Sequence, residues 1–408
     1  MGIIMIMLEG KTIGNILVIL TTIIIRICII ISWEMNSGIM KWYIILEIIL
    51  IGVFKTSNII IFYTLYELVL IRIIMIIGIY GSRERKIKAT YYIIIYTIIG
   101  SLITLISIII IWNIGGIKEG KLELANIEES KEKWIYIMMY MAFAIKTRIV
   151  PWHIWLREAH VEARTGGSII LAGILLKLGS YGLIRYNIEL LRIGSKYWTR
   201  LILMISIISI IYTSIITMRQ IDLKKIIAYS SIGHMGIINI GIYSNTYIGI
   251  GGSIILIIAH GLSSSGLFIC IGGLYNRNKT RIIKYYRGLI IVMRIFSFLF
   301  FILLLSNMGT PLTGNYIGEI MCYTGAIKEN LIIVILGSIS IILSGIYSIW
   351  LFIRICGGKV SKYIKEYNDL DRREIYLIIG IIILNTIIGI YPNIILDGLE
   401  QEIGNLIR

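Results

Sequence analysis

Apolar runs of roughly the same length recur from one end of the chain to the other, separated by short polar connections. A bilayer crossing needs about 20 apolar residues at a rise of about 1.5 Å each, and the runs lack the alternation of polar residues that a transmembrane barrel requires. The expected fold is therefore all-α, a polytopic membrane protein of about twelve transmembrane helices, because a helix satisfies its own backbone where water cannot. Spans are predicted near 12–32, 38–54, 57–80, 90–112, 133–153, 166–186, 199–218, 223–243, 247–275, 289–327, 331–354 and 374–392. The tenth is too long for one straight crossing and holds SNMGTPLTGN at 306–315, where Gly309, Pro311 and Gly314 would break a helix. The fifth carries Lys146 shortly before Pro151. Two discontinuous helices are thus expected, and broken helices are where transporters place ion sites, since freed backbone groups and helix ends face a cavity.

Ionisable residues at membrane depth are the exceptions to the pattern. Such a group costs at least a few kcal/mol in hydrocarbon, so it faces a protein interior or a wet cavity and has a partner. Glu67 in IFYTLYELVLI needs a cation nearby to stay ionised, and Lys146 is its candidate; the bland alternative is a static ion pair locking two helices. Lys177 in GILLKLGSYG is apolar-flanked, where a lysine's proton affinity falls far enough to exchange near neutral pH; snorkelling to an interface is the competing reading. His234 and His260 lie in consecutive runs beside Ser263, Ser264 and Ser265, and imidazole suits a relay because it donates and accepts at once. Each could equally be a hydrogen-bonded core histidine. Glu319 follows the second break and would end a path across the protein, or cap the broken helix. His153, Glu158, His160 and Glu162 sit in the connection between the fifth and sixth runs, where solvated and partner-facing roles are equally open. One group (Glu67, Lys146, Lys177) precedes the other (His234, His260, Glu319), and each has a broken helix, as inverted repeats would give.

Composition narrows the classes further. The 408 residues are 57% hydrophobic, with isoleucine dominating the runs as very A/T-rich coding would produce, an organelle genome being one source. The leading MGIIMIMLEGK lacks both a secretory signal and an arginine-rich transit pattern, so synthesis in the working compartment is expected. Four scattered cysteines form no CxxC or Cys/His cluster, which disfavours a zinc site, an iron–sulfur cluster or a disulfide framework. The net charge of +16 sits in loops beside spans, at 83–88, 219–225 and 276–287, as the positive-inside rule expects; those loops should share the matrix or cytoplasmic face, and no nucleic-acid partner is implied. The chain contains no phosphate loop, dinucleotide fingerprint, HExxH or haem-ligation pattern, so hydrolytic or redox catalysis within it is not expected.

Five segments together resemble one family: YELVLI at 66–71, AFAIKTRIVPWHIWLREAHVEARTGGSIILAGILLKLGSYGLIR at 142–185, DLKKIIAYSSIGHMG at 222–236, IIAHGLSSSGLF at 257–268 and NMGTPLTGNYIGE at 307–319. The chain is similar to the subunit 4 family of NADH dehydrogenase, the antiporter-like membrane subunits of mitochondrial respiratory complex I. The resemblance implies an antiporter-like fold with inverted repeats and proton translocation driven by quinone reduction elsewhere in the complex. By family, Glu67 and Lys146 match the conserved pair, Lys177 the central lysine, His234 and His260 the relay, and Glu319 the exit-side residue. It implies no cofactor bound by this chain, with NADH, FMN, iron–sulfur clusters and ubiquinone held by other parts of the complex. Implied partners are other antiporter-like and accessory membrane subunits and lipids such as cardiolipin, and the implied location is the mitochondrial inner membrane. The domain reading is a single transmembrane unit over 1–408, with about 57–218 as the first half-channel repeat, about 223–327 as most of the second, and 331–408 as C-terminal helices.

Two departures accompany the resemblance. The family usually has two further helices, and Glu67 arrives early enough that the first pair is missing. Arg72, Arg148, Arg157, Arg164 and Arg294 stand where the family pattern has proline. Replacements of one kind at membrane depth suggest that the written sequence differs from the polypeptide through RNA editing or a nonstandard code; the alternative is that they bind cardiolipin or partner carboxylates. Two other functions stay open: a stand-alone Mrp-type cation/proton antiporter, and a structural spacer that no longer pumps.

Overall fold

The computed structural model describes residues 12–33, 37–81, 84–115, 117–118, 121–122, 128–363 and 368–407. The leading residues 1–11, on which the reading of targeting rests, lie outside the described residues. The helices are α1 (Ile13–Ile31), α2 (Ser37–Lys55), α3 (Ile59–Tyr80), α4 (Lys86–Gly115), α5 (Glu129–Thr147), α6 (Ile154–Glu162), α7 (Thr165–Ile188), α8 (Arg192–Arg219), α9 (Leu223–Ile242), α10 (Tyr247–Asn278), α11 (Leu289–Val292), α12 (Arg294–Met308), α13 (Gly314–Ala326), α14 (Leu331–Cys356), α15 (Arg372–Ile390), α16 (Asn393–Leu396) and α17 (Glu400–Ile407). Each predicted span therefore contains a helix, and eight of the described helices are long and apolar enough to cross a membrane. The chain is an integral membrane protein of antiporter-like, all-helical architecture; a two-residue antiparallel pair, Ile117–Lys118 with Lys121–Leu122, interrupts the connection after α4.

Polar side chains set the helix ends. Asn58 accepts from the Ile60 amide at 2.9 Å, Thr246 from Gly249 at 3.1 Å and Asn330 from Ile332 at 2.9 Å, each satisfying an orphan donor of a first turn. Asp371 and Glu374 form a reciprocal capping box at the start of α15. Asp369 accepts from the Ile295 and Phe296 amides at 2.9 and 3.1 Å, so the chain before α15 also caps α12.

The core forms around α7 and α10, the two helices buried all round. Helix α10 packs against α9, α13, α15 and α12, and α7 is wrapped by α1, α5 and α10. Outer helices keep isoleucines such as Ile48, Ile342 and Ile390 exposed, the apolar surface a lipid-facing helix presents.

The basic connections meet on one face. Lys224 donates to the Ala163 carbonyl at 2.7 Å, Arg281 donates to the Val161 carbonyl, and the Leu223 amide donates to the Arg281 carbonyl at 3.0 Å. The 219–225 and 276–287 connections, two of the three predicted basic loops, thus gather with the 148–164 segment at the N-terminal end of α7.

Both expected breaks are present, with shifted edges. The fifth span ends at Thr147, because Arg148 adopts φ 68° and closes α5 through its amide bond to the Ala144 carbonyl; Pro151 follows in the turn before α6. The tenth span divides at Gly309 (φ 74°) and Leu312 (φ 73°), and its first residues, 289–292, are a separate turn. The sixth span, predicted as regular, instead contains wide π-helical turns at Leu171–Leu175 and Leu183–Ile188 on either side of Lys177; such bulges occur often at functional sites.

The five arginines fall in unlike conformations. Arg164 has φ −63° and ψ 167° after an extended Ala163, and Arg294 opens α12; both settings suit proline. Arg72 and Arg157 are within helices, and Arg148 in the left-handed region has a backbone that proline cannot adopt.

Candidate functional site

The predicted intramembrane residues lie in two clusters. In the first, α3 and α5 bring Lys146 Nζ to 3.0 Å from Glu67 Oε1, with Lys146 buried and Glu67 partly exposed. The same ammonium stands 3.0 Å from the ring centroid of Tyr66, a cation–π contact that the sequence reading did not include, although Tyr66 adjoins Glu67. A small cavity of about 10 Å³ joins Lys146 to Arg148, Trp155 and the α7 residues Leu175 and Leu178. Helix α7 approaches there because Gly179 carries no side chain: a Cβ would sit 2.9 Å from the Thr147 amide nitrogen.

The second cluster runs across α7, α10, α9 and α13. Lys177 is fully buried, and its Nζ donates to the Ala172 carbonyl at 2.6 Å inside the first wide turn. It also lies 3.1 Å from His260 Nδ1. The rings of His260 and His234 are 5.0 Å apart, and His234 Nδ1 is 3.1 Å from Glu319 Oε1, an ion-pair distance whose angle falls short of a hydrogen bond. Lys177, His260, His234 and Glu319 therefore form consecutive close neighbours through four helices. Next to His234 and Glu319, a cavity of about 20 Å³ is bordered by Ser230, Ser340, Ser344 and Tyr347, room for about one water molecule.

The second break shapes the end of this row. Gly309 lies against Glu319, where a Cβ would be 2.8 Å from Oε2. Pro311 lies within the break and Gly314 opens α13. Asn315 donates to Ser263 Oγ at 3.2 Å, and Asn385 of α15 donates to Ser306 Oγ. Neither asparagine was anticipated, though Asn385 is detectable as a polar residue within the run IIILNTIIGI. Ser263, Ser264 and Ser265 donate to the carbonyls of His260, Gly261 and Leu262, so their protons are used within α10.

The connection residues separate. His160 is buried, stacks on Phe268 at 4.8 Å and lies 3.4 Å from Arg148 Nη1. His153 packs edge-on to Tyr212, and Glu158 pairs with Arg157 at 3.0 Å, both apart from the row. Glu162 is buried with Oε2 lacking a hydrogen-bond partner. Among the described residues, no group of three or more His, Cys, Asp or Glu side chains is arranged to hold a metal ion.

Such a row can move protons without a redox centre, since each neighbour can donate to or accept from the next. The family model for the transmembrane region of NADH:quinone oxidoreductases and Mrp antiporters matches residues 56–344. The chain is 43% identical over 397 residues to NADH-ubiquinone oxidoreductase chain 4 of Arabidopsis thaliana, covering 96% of this chain and 80% of that one. It is 41% identical over 396 residues to the chain 4 of Mycosarcoma maydis, covering 96% and 82%. Its fold superposes with a TM-score of 0.90 on a chain of respiratory complex I from Thermus thermophilus with bound NADH, at 25% identity over 97% of this chain and 84% of that one. A chain of the Mrp complex from a Dietzia species shares the fold at 14% identity and a TM-score of 0.85, covering 97% and 82%. The chain belongs to the NADH:quinone oxidoreductase/Mrp antiporter family of membrane subunits.

Proposed function

We propose that this chain is the chain 4 type membrane subunit of an NADH:ubiquinone oxidoreductase, and that it conducts protons through Glu67, Lys146, Lys177, His260, His234 and Glu319. The observation that carries the reading is the buried row from Lys177 to Glu319. Quinone reduction occurs elsewhere in the complex, and NADH, FMN, iron–sulfur clusters and ubiquinone are bound by other subunits. The Glu67–Lys146 pair acts as the switch: lengthening that contact changes the field on the neighbouring cations and so their proton affinity. Residues 57–218 form the first half-channel and 223–327 most of the second, with 331–408 closing the single transmembrane unit. His153, Glu158, His160, Ser263 and Ser264 are auxiliary polar residues beside this path. Other antiporter-like and accessory subunits cover the outer helices together with lipids such as cardiolipin, in the mitochondrial inner membrane.

The identity to chain 4 relatives over 96% of the chain supports this reading over a stand-alone Mrp-type antiporter, with which the chain shares its fold. The test is Lys177→Met in the assembled complex, followed as protons moved per NADH oxidised. Loss of coupled pumping is expected; an unchanged ratio would leave a structural spacer, and sodium-dependent exchange by a small assembly would favour the antiporter.

A further inference from the structure

A sizeable cavity bordered by the described residues is separate from both clusters. It has a volume of about 390 Å³ and lies where the start of α1, the turn after α2, the C-terminal end of α7 and the end of α17 meet. Arg185, Glu189, Glu402, Lys55 and Ser57 border it, with Tyr181 and Ile184 as its inner apolar wall. Arg185 and Glu189 pair at 3.0 Å and remain partly exposed, while Glu402 accepts from the Ile13 amide at 2.8 Å. Charged walls of this kind hold water rather than lipid tails. Partial burial raises the Glu189 carboxyl above its ordinary range and Arg185 opposes that, which suits a group that gives and takes protons at a wet surface.

Two facts fix what this cavity faces. The basic connections gather at the N-terminal end of α7, and the cavity is at the other end of that 24-residue helix, about 36 Å away along its axis. It therefore opens on the opposite membrane face. Its inner wall also approaches the centre of the protein: Tyr181 follows Lys177 by four residues in an α-helical stretch, so the two share a helix face about 6 Å apart along the axis. Tyr181 is held there by a hydrogen bond from its hydroxyl to the Phe54 carbonyl at 3.2 Å, and its ring meets Phe54 edge-on at 5.2 Å. The Lys177 ammonium turns the other way, toward Ala172 and His260.

We propose that this cavity is a water-filled access funnel on the face opposite the basic connections, and that Tyr181 is the gate that closes it against Lys177. The proposal rests on proton conduction by Lys177. With the gate shut, the Lys177 ammonium contacts the Ala172 carbonyl and His260, and of the two only His260 can take its proton. If the Tyr181–Phe54 bond opens, water can reach the ammonium, which then releases its proton to funnel water and is left as the neutral amine. A shut gate thus prevents a short circuit through the first half of the protein, and Tyr181 is a positioning residue rather than a carrier.

The test uses the assembled complex in sealed membrane vesicles. A cysteine at Arg185→Cys, a partly exposed residue bordering the cavity, should be modified by a membrane-impermeant cationic thiol reagent added on the funnel face and not from the other; the native Cys28, Cys270, Cys322 and Cys356 are all buried. Absence of labelling from the funnel face overturns the funnel, and this readout is independent of pumping. Tyr181→Phe keeps the ring and removes the bond, and the passive proton leak should rise about five-fold, the population shift that about 1 kcal/mol gives. A wild-type leak overturns the gate. Lys177→Met measured in parallel separates the failures: if it abolishes pumping while Tyr181→Phe is silent, the gate alone fails, and if it leaves pumping intact, the conduction reading itself fails. Should Tyr181→Phe prevent assembly, the labelling result decides the funnel and Tyr181→Leu, which has no donor for the Phe54 carbonyl, is read for leak.

Discussion

Lys177 and His260 meet at 3.1 Å with neither side chain exposed, a lysine of α7 against a histidine of α10. Both can carry a proton, and like charges this close in a poorly solvated site disfavour each other strongly. The contact is short enough for a proton to pass directly between the two groups. His260→Leu removes the acceptor while leaving the Ala172 carbonyl to hold the ammonium. Proton translocation per NADH should fall by at least about ten-fold, and thermal stability should drop by about 1–3 kcal/mol for the unsatisfied donor, read as a lowered unfolding midpoint of the purified complex. Full pumping by the variant would remove His260 from the path.

The Glu67–Lys146 pair makes a different prediction, because its members are unequally buried. Glu67→Gln removes the countercharge and leaves the buried ammonium with a neutral amide oxygen and the Tyr66 ring, whereas Lys146→Met leaves a carboxylate that is only partly buried. Removing one member of a fully buried pair costs about 3–5 kcal/mol; the exposure of Glu67 reduces that to about 1–2 kcal/mol here. Glu67→Gln should destabilise the complex more than Lys146→Met, and both should reduce pumping. Double-mutant analysis of unfolding midpoints checks the order: equal losses for the two variants would show that the ammonium is not the strained partner.

Gly309 connects the second break to the row. Its φ of 74° favours glycine, and a Cβ would press on Glu319. Gly309→Ala should cost about 1–2 kcal/mol for the left-handed backbone and move the carboxylate away from His234. The expected signature is a larger loss of proton translocation than of assembly, measured as pumping per complex incorporated. A variant that pumps normally would mean that the His234–Glu319 contact is dispensable.

These cases show what the sequence made legible. Hydropathy located the spans because lipid imposes a single rule on every crossing, and Glu67 with Lys146, like His234 with Glu319, stood out since ionisable groups are rare in such runs. The Gly309–Pro311–Gly314 cluster marked its break for the same local reason. Arg148 did not: it closes α5 before Pro151, and no pattern signals left-handed backbone at an arginine. The wide turns around Lys177 were equally hidden, because a π-turn uses the residues of an α-turn and is set by packing. Asn315 with Ser263, and Asn385 with Ser306, are contacts between distant helices, and polar residues in separate runs do not announce their partners. Tyr181 was read only as part of a motif, since its role depends on a cavity that four separate segments build.

The arginines at 72, 148, 157, 164 and 294 yield the last prediction. Arg148 is fully buried, its Nε and Nη2 have no hydrogen-bond partner, and its nearest polar neighbour is a histidine at 3.4 Å. An uncompensated buried guanidinium costs several kcal/mol, more than the cation–π contact with Trp155 returns. Arg164 and Arg294 occupy backbone settings that proline prefers. Position 148 is the stringent case, because proline there requires the chain after Thr147 to leave the left-handed conformation and lose the amide bond to Ala144. The energetic penalty of the charge outweighs that of rebuilding one turn at 148, and the mature polypeptide is expected to carry proline at all five sites, at 72 and 157 with the loss of a helical hydrogen bond and a kink. Mass spectrometry of the segment from Thr147 to Ser168 decides positions 148, 157 and 164. An uncut tryptic segment with the mass of three prolines is the expected result. Cleavage after position 157 would establish arginine there, paired with Glu158, and would sink the editing reading.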